Sequence, residues 1–223
     1  MDAAGVTWLL PVLNGMPYVE ETLASLGEQS ARGARVLAWD NGSTDGTAEV
    51  LRAWIPARLP GRVVTGQPLP LGACLARLVE EAGTPLCARI DADDVALPNR
   101  LERQLAYMDG HPEVVACGTQ MTMIDERGDD LGPYPERPLD DADLVMVSIV
   151  ETPLSHPTVM FRRDAVLAVG NYRDRSPAED LDLWLRLMSA GRLATLPERL
   201  VRYRMRGGSV TAQSKRAPAE TQA

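Results

Sequence analysis

Three carboxylates lie within four positions at Asp91-Ala92-Asp93-Asp94, directly after an apolar run at residues 86–90. Carboxylates this close repel one another unless a cation or water satisfies them. Oxygen ligands at the end of a strand suit Mg²⁺ or Mn²⁺, because these ions keep coordination positions open for phosphate oxygens. A solvated acidic loop that begins the next helix would have the same composition, so the cluster alone leaves both interpretations open.

Two other polar segments could take part in chemistry. Asp40-Asn41-Gly42-Ser43-Thr44-Asp45 follows the apolar residues 36–39. A carboxylate there can accept hydrogen bonds from a ribose or a base edge, although a turn with a helix N-cap at Asp45 would explain the same residues. Glu179-Asp180 precedes a helical face formed by Leu181, Trp184 and Met188. This acid pair can stabilise the positive helix end or supply a general base if it faces a site.

The elements that must position these segments alternate between strand and helix patterns in the first half of the chain. Apolar runs of strand length occur at residues 6–13, 36–39, 63–64 and 86–90, and apolar residues at helical spacing lie between them. This alternation predicts βαβ units with a parallel sheet. Ligands of such sheets bind beyond the carboxyl ends of the strands, where Asn14-Gly15, residues 40–45 and residues 91–94 all fall.

The second half is less regular. The patterns predict helices after Pro98 and at 141–150, a short helix ending at Val169, strands at 114–124, 158–161 and 200–203, and a surface loop at 126–140. Pro56 and Pro60 are expected to end the second helix.

Composition restricts the partners. The chain has 223 residues with 31 acidic and 23 basic side chains, a net charge of −8, which argues against nucleic acid as a partner. A nucleotide is still compatible, because a metal ion can carry the positive charge. Cys74, Cys87 and Cys117 include no C-x-x-C pair and are expected to be buried thiols. With no signal peptide or transmembrane segment, we expect a cytoplasmic protein that can still contact a membrane peripherally.

In order and spacing, these segments resemble glycosyltransferase family 2, over about residues 6–211. The resemblance is carried by Pro11-Val12-Leu13-Asn14, Asp40-Asn41-Gly42-Ser43-Thr44-Asp45-Gly46-Thr47, Asp91-Ala92-Asp93-Asp94 with Pro98, Arg100-Leu101-Glu102 and Gln104, His156-Pro157-Thr158-Val159-Met160-Phe161-Arg162-Arg163, Glu179-Asp180-Leu181-Asp182-Leu183-Trp184-Leu185-Arg186-Leu187, and Tyr203-Arg204 with Ser209.

The resemblance implies an α/β chain with the GT-A fold, in which helices flank a mainly parallel central sheet. Residues 1–211 would form a single domain, with a Rossmann-like nucleotide-sugar-binding half at about 1–110 and a smaller mixed acceptor-side half at about 111–211. Residues 212–223 would be a frayed tail. The implied activity is inverting transfer of a sugar from a nucleotide-diphosphate sugar, with UDP favoured and dTDP or GDP as alternatives. The acceptor would be a hydroxyl of a carbohydrate or a lipid-linked acceptor, in polysaccharide or glycoconjugate synthesis.

The resemblance also implies roles for particular residues. Asp91 and Asp93 match the family's D-x-D pair, which positions Mn²⁺ or Mg²⁺ on the donor diphosphate. Asp40 matches a contact to the nucleoside, and Asp180 matches the catalytic base. The remaining predicted donor contacts are Pro11, Leu13, Asn14, Asn41, Ala92 and Arg206. His156, Glu179 and Arg89 are further residues that could face the site.

Three departures from the family pattern concern the donor. Leu13 stands where a tyrosine often stacks on the base, and Asn41 stands where the family often has aspartate. Arg206 stands where a histidine frequently lies near the metal. An arginine does not bind a metal ion, but it can pair with a diphosphate through two hydrogen bonds.

Two alternatives compete with an active transferase. A nucleotidyltransferase would usually carry a glycine-rich basic loop after the first strand, and Asn14-Gly15-Met16-Pro17 is not such a loop. A non-catalytic module that only binds a nucleotide-sugar is compatible with Leu13 and Arg206. The joint presence of Asp91, Asp93 and Asp180 argues against it, since a binding module has no need of a base.

Overall fold

The computed structural model describes residues 1–175 and 178–207. The first four strands are β1 (Val6–Val12), β2 (Arg35–Asp40), β3 (Gly61–Thr65) and β4 (Leu86–Arg89), which pair in parallel in the order β3-β2-β1-β4. All seven residues of β1 are buried, because helices cover both faces of this part of the sheet. The predicted parallel half is therefore confirmed.

Eight helical segments accompany the strands within the described residues. They are α1 (Val19–Gly27), α2 (Thr47–Arg58), α3 (Leu71–Glu81), α4 (Arg100–Gly110), α5 (Asp141–Val147), a 3₁₀ turn at His156–Thr158, α6 (Arg163–Ala168) and α7 (Glu179–Leu187). No helix in this part of the chain is both long and apolar enough to cross a membrane.

The second half extends the same sheet with mixed pairing. Its strands are β5 (Val95–Ala96), β6 (Val114–Ile124), β7 (Asp130–Pro133), β8 (Met160–Arg162) and β9 (Arg192–Arg204). β8 is antiparallel to both β4 and β6, whereas β6 and β9 are parallel. β5 pairs antiparallel with β9, which brings the end of β9 beside the segment that follows β4. The predicted mixed half is confirmed, and nine strands form one sheet.

The two faces of the sheet carry separate apolar layers. Trp8 and Leu10 of β1 face the layer that includes α1 and α2, whereas Leu9 faces the layer that includes α3 and α7. This alternation is the two-residue period of a strand. Cys74, Cys87 and Cys117 are buried and free, as expected.

Several boundaries differ from the sequence prediction. β9 is 13 residues long, whereas the sequence predicted four. The prediction was short because Pro197 and Glu198 interrupt the apolar pattern of the strand, and three register shifts against β6 accompany the interruption. β7 lies inside the predicted surface loop and pairs with β6. Pro56 lies within α2, which ends at Arg58, and the N-cap of α2 is Gly46 and not Asp45. Ser209 and the predicted tail at 212–223 lie outside the described residues.

Candidate active site

The loops that follow β1 and β2 are joined by hydrogen bonds at the carboxyl edge of the sheet. The Asn14 amide donates to Ser43 Oγ at 2.9 Å, and the Thr44 amide donates back to Asn14 Oδ1 at 2.9 Å. The Gly15 amide donates to Thr47 Oγ1 at 2.8 Å. These bonds fix the two loops against each other beside the strand ends.

Asp40 and Asn41 have different surroundings although they are neighbours in sequence. Asp40 ends β2, is buried, and accepts a hydrogen bond from the Ser43 amide at 3.1 Å. Asn41 is paired in both directions with the backbone of Leu69, at 2.8 and 2.9 Å. The Asn41 amide group therefore fixes the segment before α3, and this pairing uses the polar atoms that the sequence assigned to a donor contact.

Asp91 lies over a buried arginine. The terminal nitrogens of Arg89 donate to its two carboxylate oxygens at 2.5 and 3.0 Å. The Arg89 side chain is 3% exposed, and that of Asp91 is 32% exposed. The carboxylate is thus held from below by a fork of two hydrogen bonds and keeps one side open to the surface.

Asp93 lies beside the end of β9. Arg206 Nε is 2.7 Å from Asp93 Oδ2, an ion pair without hydrogen-bond geometry. The guanidinium groups of Arg204 and Arg206 lie 4.6 and 5.5 Å from the ring centre of Tyr18. Burial, followed by the charge of Asp91, raises the pKa of Asp93, and Arg206 partly offsets this. The negative charges of Asp91 and Asp93 therefore repel each other, and a nearby positive charge stabilises both.

Asp94 is structural. It is fully buried, and its Oδ1 accepts a hydrogen bond from the Arg204 amide at 2.9 Å. Its other carboxylate oxygen has no partner, and burial together with Asp91 and Asp93 raises the pKa of Asp94 well above its usual value. The Arg204 side chain donates to the Asp93 carbonyl at 2.9 Å and pairs with Glu21 on α1. Arg204 therefore fastens the acidic loop to α1 and β9.

Glu179 and Asp180 begin α7 and lie close to the residues around Asp91. Asp180 Oδ1 accepts from the Leu181 amide at 2.8 Å, and Oδ2 accepts from the Thr152 hydroxyl at 3.3 Å. Burial raises the pKa of Asp180, and the Arg89 charge opposes that rise. Glu179 is buried with one oxygen unpartnered. Burial raises its pKa, with smaller contributions from Asp180 and Asp91.

His156 is packed inside the fold. Its Nε2 lies 2.9 Å from the Tyr172 hydroxyl, and its ring packs edge-on against Trp184 with 5.7 Å between ring centres. Burial, followed by the Arg89 charge, lowers the pKa of His156 well below its usual value. A neutral histidine in this position supports the fold next to α7.

Comparisons with known proteins are consistent with this arrangement. The model of the family described as glycosyl transferase family 2 matches residues 7–170. The chain is also 34% identical over 188 residues to the amylovoran biosynthesis glycosyltransferase AmsE of Erwinia amylovora, covering 83% of the chain and 70% of AmsE. The chain belongs to glycosyltransferase family 2. It is accordingly a glycosyltransferase.

Other family 2 members share parts of the chain. The O-antigen biosynthesis glycosyltransferase WbnJ of Escherichia coli is 34% identical over 129 residues, which cover 56% of this chain and 49% of WbnJ. This shorter match shows that the similarity extends to more than one named family member.

Solved structures share the fold. S. aureus TarS residues 1–349 in complex with UDP-GlcNAc superimposes with a TM-score of 0.75 at 18% identity, over 94% of this chain and 60% of that one. The mannosyltransferase PcManGT of Pyrobaculum calidifontis in complex with GDP-Man and Mn²⁺ gives 0.70 at 19% identity, over 95% and 59%. At this identity the likeness concerns the fold, which is that of GT-A glycosyltransferases.

The structure brings most of the predicted family 2 site residues to one edge of the sheet. Asn14, Asp40, Asp91, Ala92, Asp93, Glu179, Asp180, Arg89 and Arg206 all lie on the segments that meet there. Leu13 is 57% exposed, and Pro11 is buried within β1. Tyr18 and Thr152 also contact residues at this edge, and the sequence carries no local signal for them. The contact of Arg204 with the acidic loop was likewise not predicted. For Arg204 the Tyr-Arg pair of the family pattern was the available signal.

Proposed function

We propose that this protein is an inverting glycosyltransferase that moves a sugar from a nucleotide-diphosphate sugar to an acceptor hydroxyl. The observation that supports it best is the proximity of two acidic groups with different tasks. Arg89 holds Asp91 at the end of β4, and Asp180 lies in the first turn of α7, which packs on the face of the sheet that Arg89 shares with Cys87. A base within reach of the donor site is the arrangement that direct displacement at the anomeric carbon needs.

UDP is the favoured nucleotide of the donor, with dTDP and GDP as alternatives. TarS was solved with UDP-GlcNAc and PcManGT with GDP-Man, so the shared fold accepts both kinds of nucleotide. The names of AmsE and WbnJ support a role in polysaccharide or glycoconjugate synthesis. The acceptor would be a carbohydrate or a lipid-linked acceptor. The cytoplasmic location expected from the sequence stays a prediction.

A divalent ion fits the carboxylates at this edge. In the part of the chain that the structure describes, no group of three or more His, Cys, Asp or Glu side chains could hold an ion alone. Mg²⁺ is typically bound by one or two carboxylates together with substrate phosphates. Asp91 and Asp93 supply that number, and the raised pKa of Asp93, caused by burial and the nearby charge of Asp91, indicates that a cation is favoured there. When bound, the ion would stabilise the charge of the departing diphosphate.

The protein's own residues would perform the rest of the reaction. Asp180 accepts the proton of the attacking hydroxyl, and burial raises the pKa of Asp180 toward the working pH of a general base. Arg206 can turn from Asp93 to pair with the diphosphate. Attack from the side opposite the diphosphate inverts the anomeric centre, with no covalent enzyme intermediate.

The test is a screen of UDP, dTDP, GDP and CMP by thermal unfolding, with Mn²⁺ or with EDTA. A nucleotide present at about 100 times its dissociation constant should raise the midpoint by roughly 5–10 °C. Hydrolysis and transfer of the matching nucleotide-sugars follow. Asp93→Ala should abolish the Mn²⁺-dependent shift and leave the fold intact. Asp109→Ala, exposed beside Leu86 at the opposite edge of the sheet, is the matched control.

Each outcome separates the alternatives. If Asp93→Ala binds nucleotide with unchanged Mn²⁺ dependence, the metal assignment is wrong. A wild-type protein that binds a nucleotide-sugar but neither hydrolyses nor transfers it would be the non-catalytic module considered above.

A further inference from the structure

Arg89 is a buried cation at the centre of the site, with only one ion-pair partner among the described residues. Its terminal nitrogens hold Asp91, and its Nε has no partner. Its backbone is fixed on both sides, since its amide donates to Val159 and its carbonyl accepts from Arg100. A buried guanidinium is costly without a compensating role, because desolvation opposes its charge.

The strand period directs Arg89 toward α7. Along β4, Ala88 faces the apolar layer of α1 and α2, whereas Cys87 faces the layer of α3 and α7. Arg89 follows Ala88 and so shares the side of Cys87. On α7, Asp180 and Trp184 are four residues apart and occupy one face, and Trp184 packs against His156. Arg89 and Asp180 therefore approach the same region from two elements.

The charged and titratable groups around Asp180 come from four elements. Glu179 lies on α7, Arg89 on β4, Tyr172 on the segment before α7, and His156 on the 3₁₀ turn. His156 is neutral because burial, followed by the Arg89 charge, lowers its pKa, and Tyr172 is neutral because burial raises its pKa. Glu179 adds negative charge when it is ionised. Arg89 is thus the cation of this group.

We propose that Arg89 is a positioning residue that couples the donor and acceptor sides of the site. Its fork orients Asp91 toward the donor, and its charge keeps Asp180 ionised and able to accept a proton. The inference rests on the proposed roles of Asp91 and Asp180. One side chain then serves both tasks, and they can be separated because the first needs the planar fork and the second needs only positive charge.

The test uses two substitutions that separate fork from charge. Arg89→Lys keeps the charge and loses the fork, and Arg89→Met loses both. Titration of the ¹³C-labelled aspartate carboxyls, with the Asp180 signal assigned by its absence in Asp180→Asn, gives the Asp180 midpoint without any substrate. We expect Arg89→Met to raise that midpoint by about one pH unit and Arg89→Lys to leave it near the wild-type value.

Binding of UDP with Mn²⁺, measured by calorimetry, tests the fork. Both variants should bind UDP about tenfold more weakly, as is typical when a partner that orients a ligand-binding side chain is removed. Arg162→Met is the matched control, because Arg162 is a partly buried arginine at the opposite edge of the sheet, where it donates to the carbonyls of Met108 and Val114. It should lower thermal stability and leave the Asp180 midpoint unchanged. If Arg89→Met does not fold, Arg89→Gln replaces it.

An Asp180 midpoint that is the same in wild-type and Arg89→Met overturns the charge role. If Arg89→Lys binds UDP with the wild-type affinity, the two hydrogen bonds from Arg89 to Asp91 do not orient Asp91 for the donor. Either result is distinguishable from failure of the proposed function, which would appear as normal turnover in Asp180→Asn whatever Arg89 does.

Discussion

Asp180, the proposed base, has a pKa raised by burial and an orientation fixed by the Leu181 amide. Asparagine at this position keeps an acceptor for the Leu181 amide but does not take a proton. We expect Asp180→Asn to bind donor normally and to lose turnover by about 10²–10⁴-fold. Donor affinity and the single-turnover rate of one preparation measure the two effects separately.

Asp182→Asn is the control for that substitution, because Asp182 lies on the same helix and pairs with Arg186. It should turn over at close to the wild-type rate. Near-normal turnover in Asp180→Asn would reduce the acid pair to a stabilising feature of the helix end, worth about 0.3–1 kcal/mol.

Arg206 neutralises Asp93 in the structure and would pair with the diphosphate when the donor arrives. We expect Arg206→Ala to weaken UDP binding by about tenfold, the loss of a charged hydrogen bond, and to change uridine binding little. Titration calorimetry with both ligands measures the difference. Arg199→Ala, which removes another β9 arginine paired with an exposed Glu136, should affect neither. An equal loss for UDP and uridine would contradict the assignment to the diphosphate.

Residue types and strand ends predicted that the acidic residues lie at the carboxyl edge of the sheet, but not which contacts fix their segments there. That Asp91 and Asp180 fall at the edge of the sheet follows from local pattern. That Asn41 is used by the backbone of Leu69, or that Arg204 fastens the acidic loop, depends on contacts 28 and 111 residues apart. Such contacts have no local sequence signal.

The amino end of α3 approaches the amino end of α7 very closely at Gly72. A Cβ at this position would lie 2.3 Å from the Arg173 carbonyl oxygen and 3.2 Å from the Glu179 Cβ. We expect Gly72→Ala to displace the segment that carries Glu179 and Asp180, and to lower turnover by about 10²-fold. Comparison of turnover with the thermal midpoint separates misplacement from unfolding.

Gly110→Ala is the matched control, since nothing lies within 4 Å of a Cβ at the end of α4. It should keep full turnover. Unchanged turnover in Gly72→Ala would mean that the two helix ends can move apart without disturbing the site.

Strands with an uninterrupted apolar pattern could be predicted from the sequence, and a strand whose apolar pattern is interrupted could not. β1, β2 and β4 each contain a continuous apolar run because both faces are covered, and their boundaries followed from the sequence within a residue or two. β9 carries Pro197, Glu198 and arginines, and its pairing with β6 shifts register. A strand whose partner compensates for a broken pattern is recognised only when the partner is known.

Across the whole molecule, the buried acids and the buried histidine change the free energy of unfolding in opposite directions as the pH changes. Burial raises the pKa of Asp93, Asp94, Glu179 and Asp180, so their contribution to stability falls as pH rises above their unfolded values. Burial lowers the pKa of His156, so its contribution falls as pH decreases through about 6.5, the value of the unfolded chain. The measured free energy of unfolding is the sum of these contributions, so a substitution is needed to measure the contribution of one group.

His156→Gln isolates the histidine. Glutamine can keep a hydrogen bond to Tyr172 but does not titrate. In the wild type, His156 binds a proton below pH 6.5 in the unfolded state but stays neutral in the folded state. Between pH 7.5 and 5.5 the wild type should lose about 1.4 kcal/mol of unfolding free energy relative to the variant. Urea denaturation at both pH values measures the difference. If the free energy of unfolding changes with pH in the same way in the wild type and in His156→Gln, His156 binds a proton in the folded state. His156 would then again be a candidate for a residue that faces the substrate.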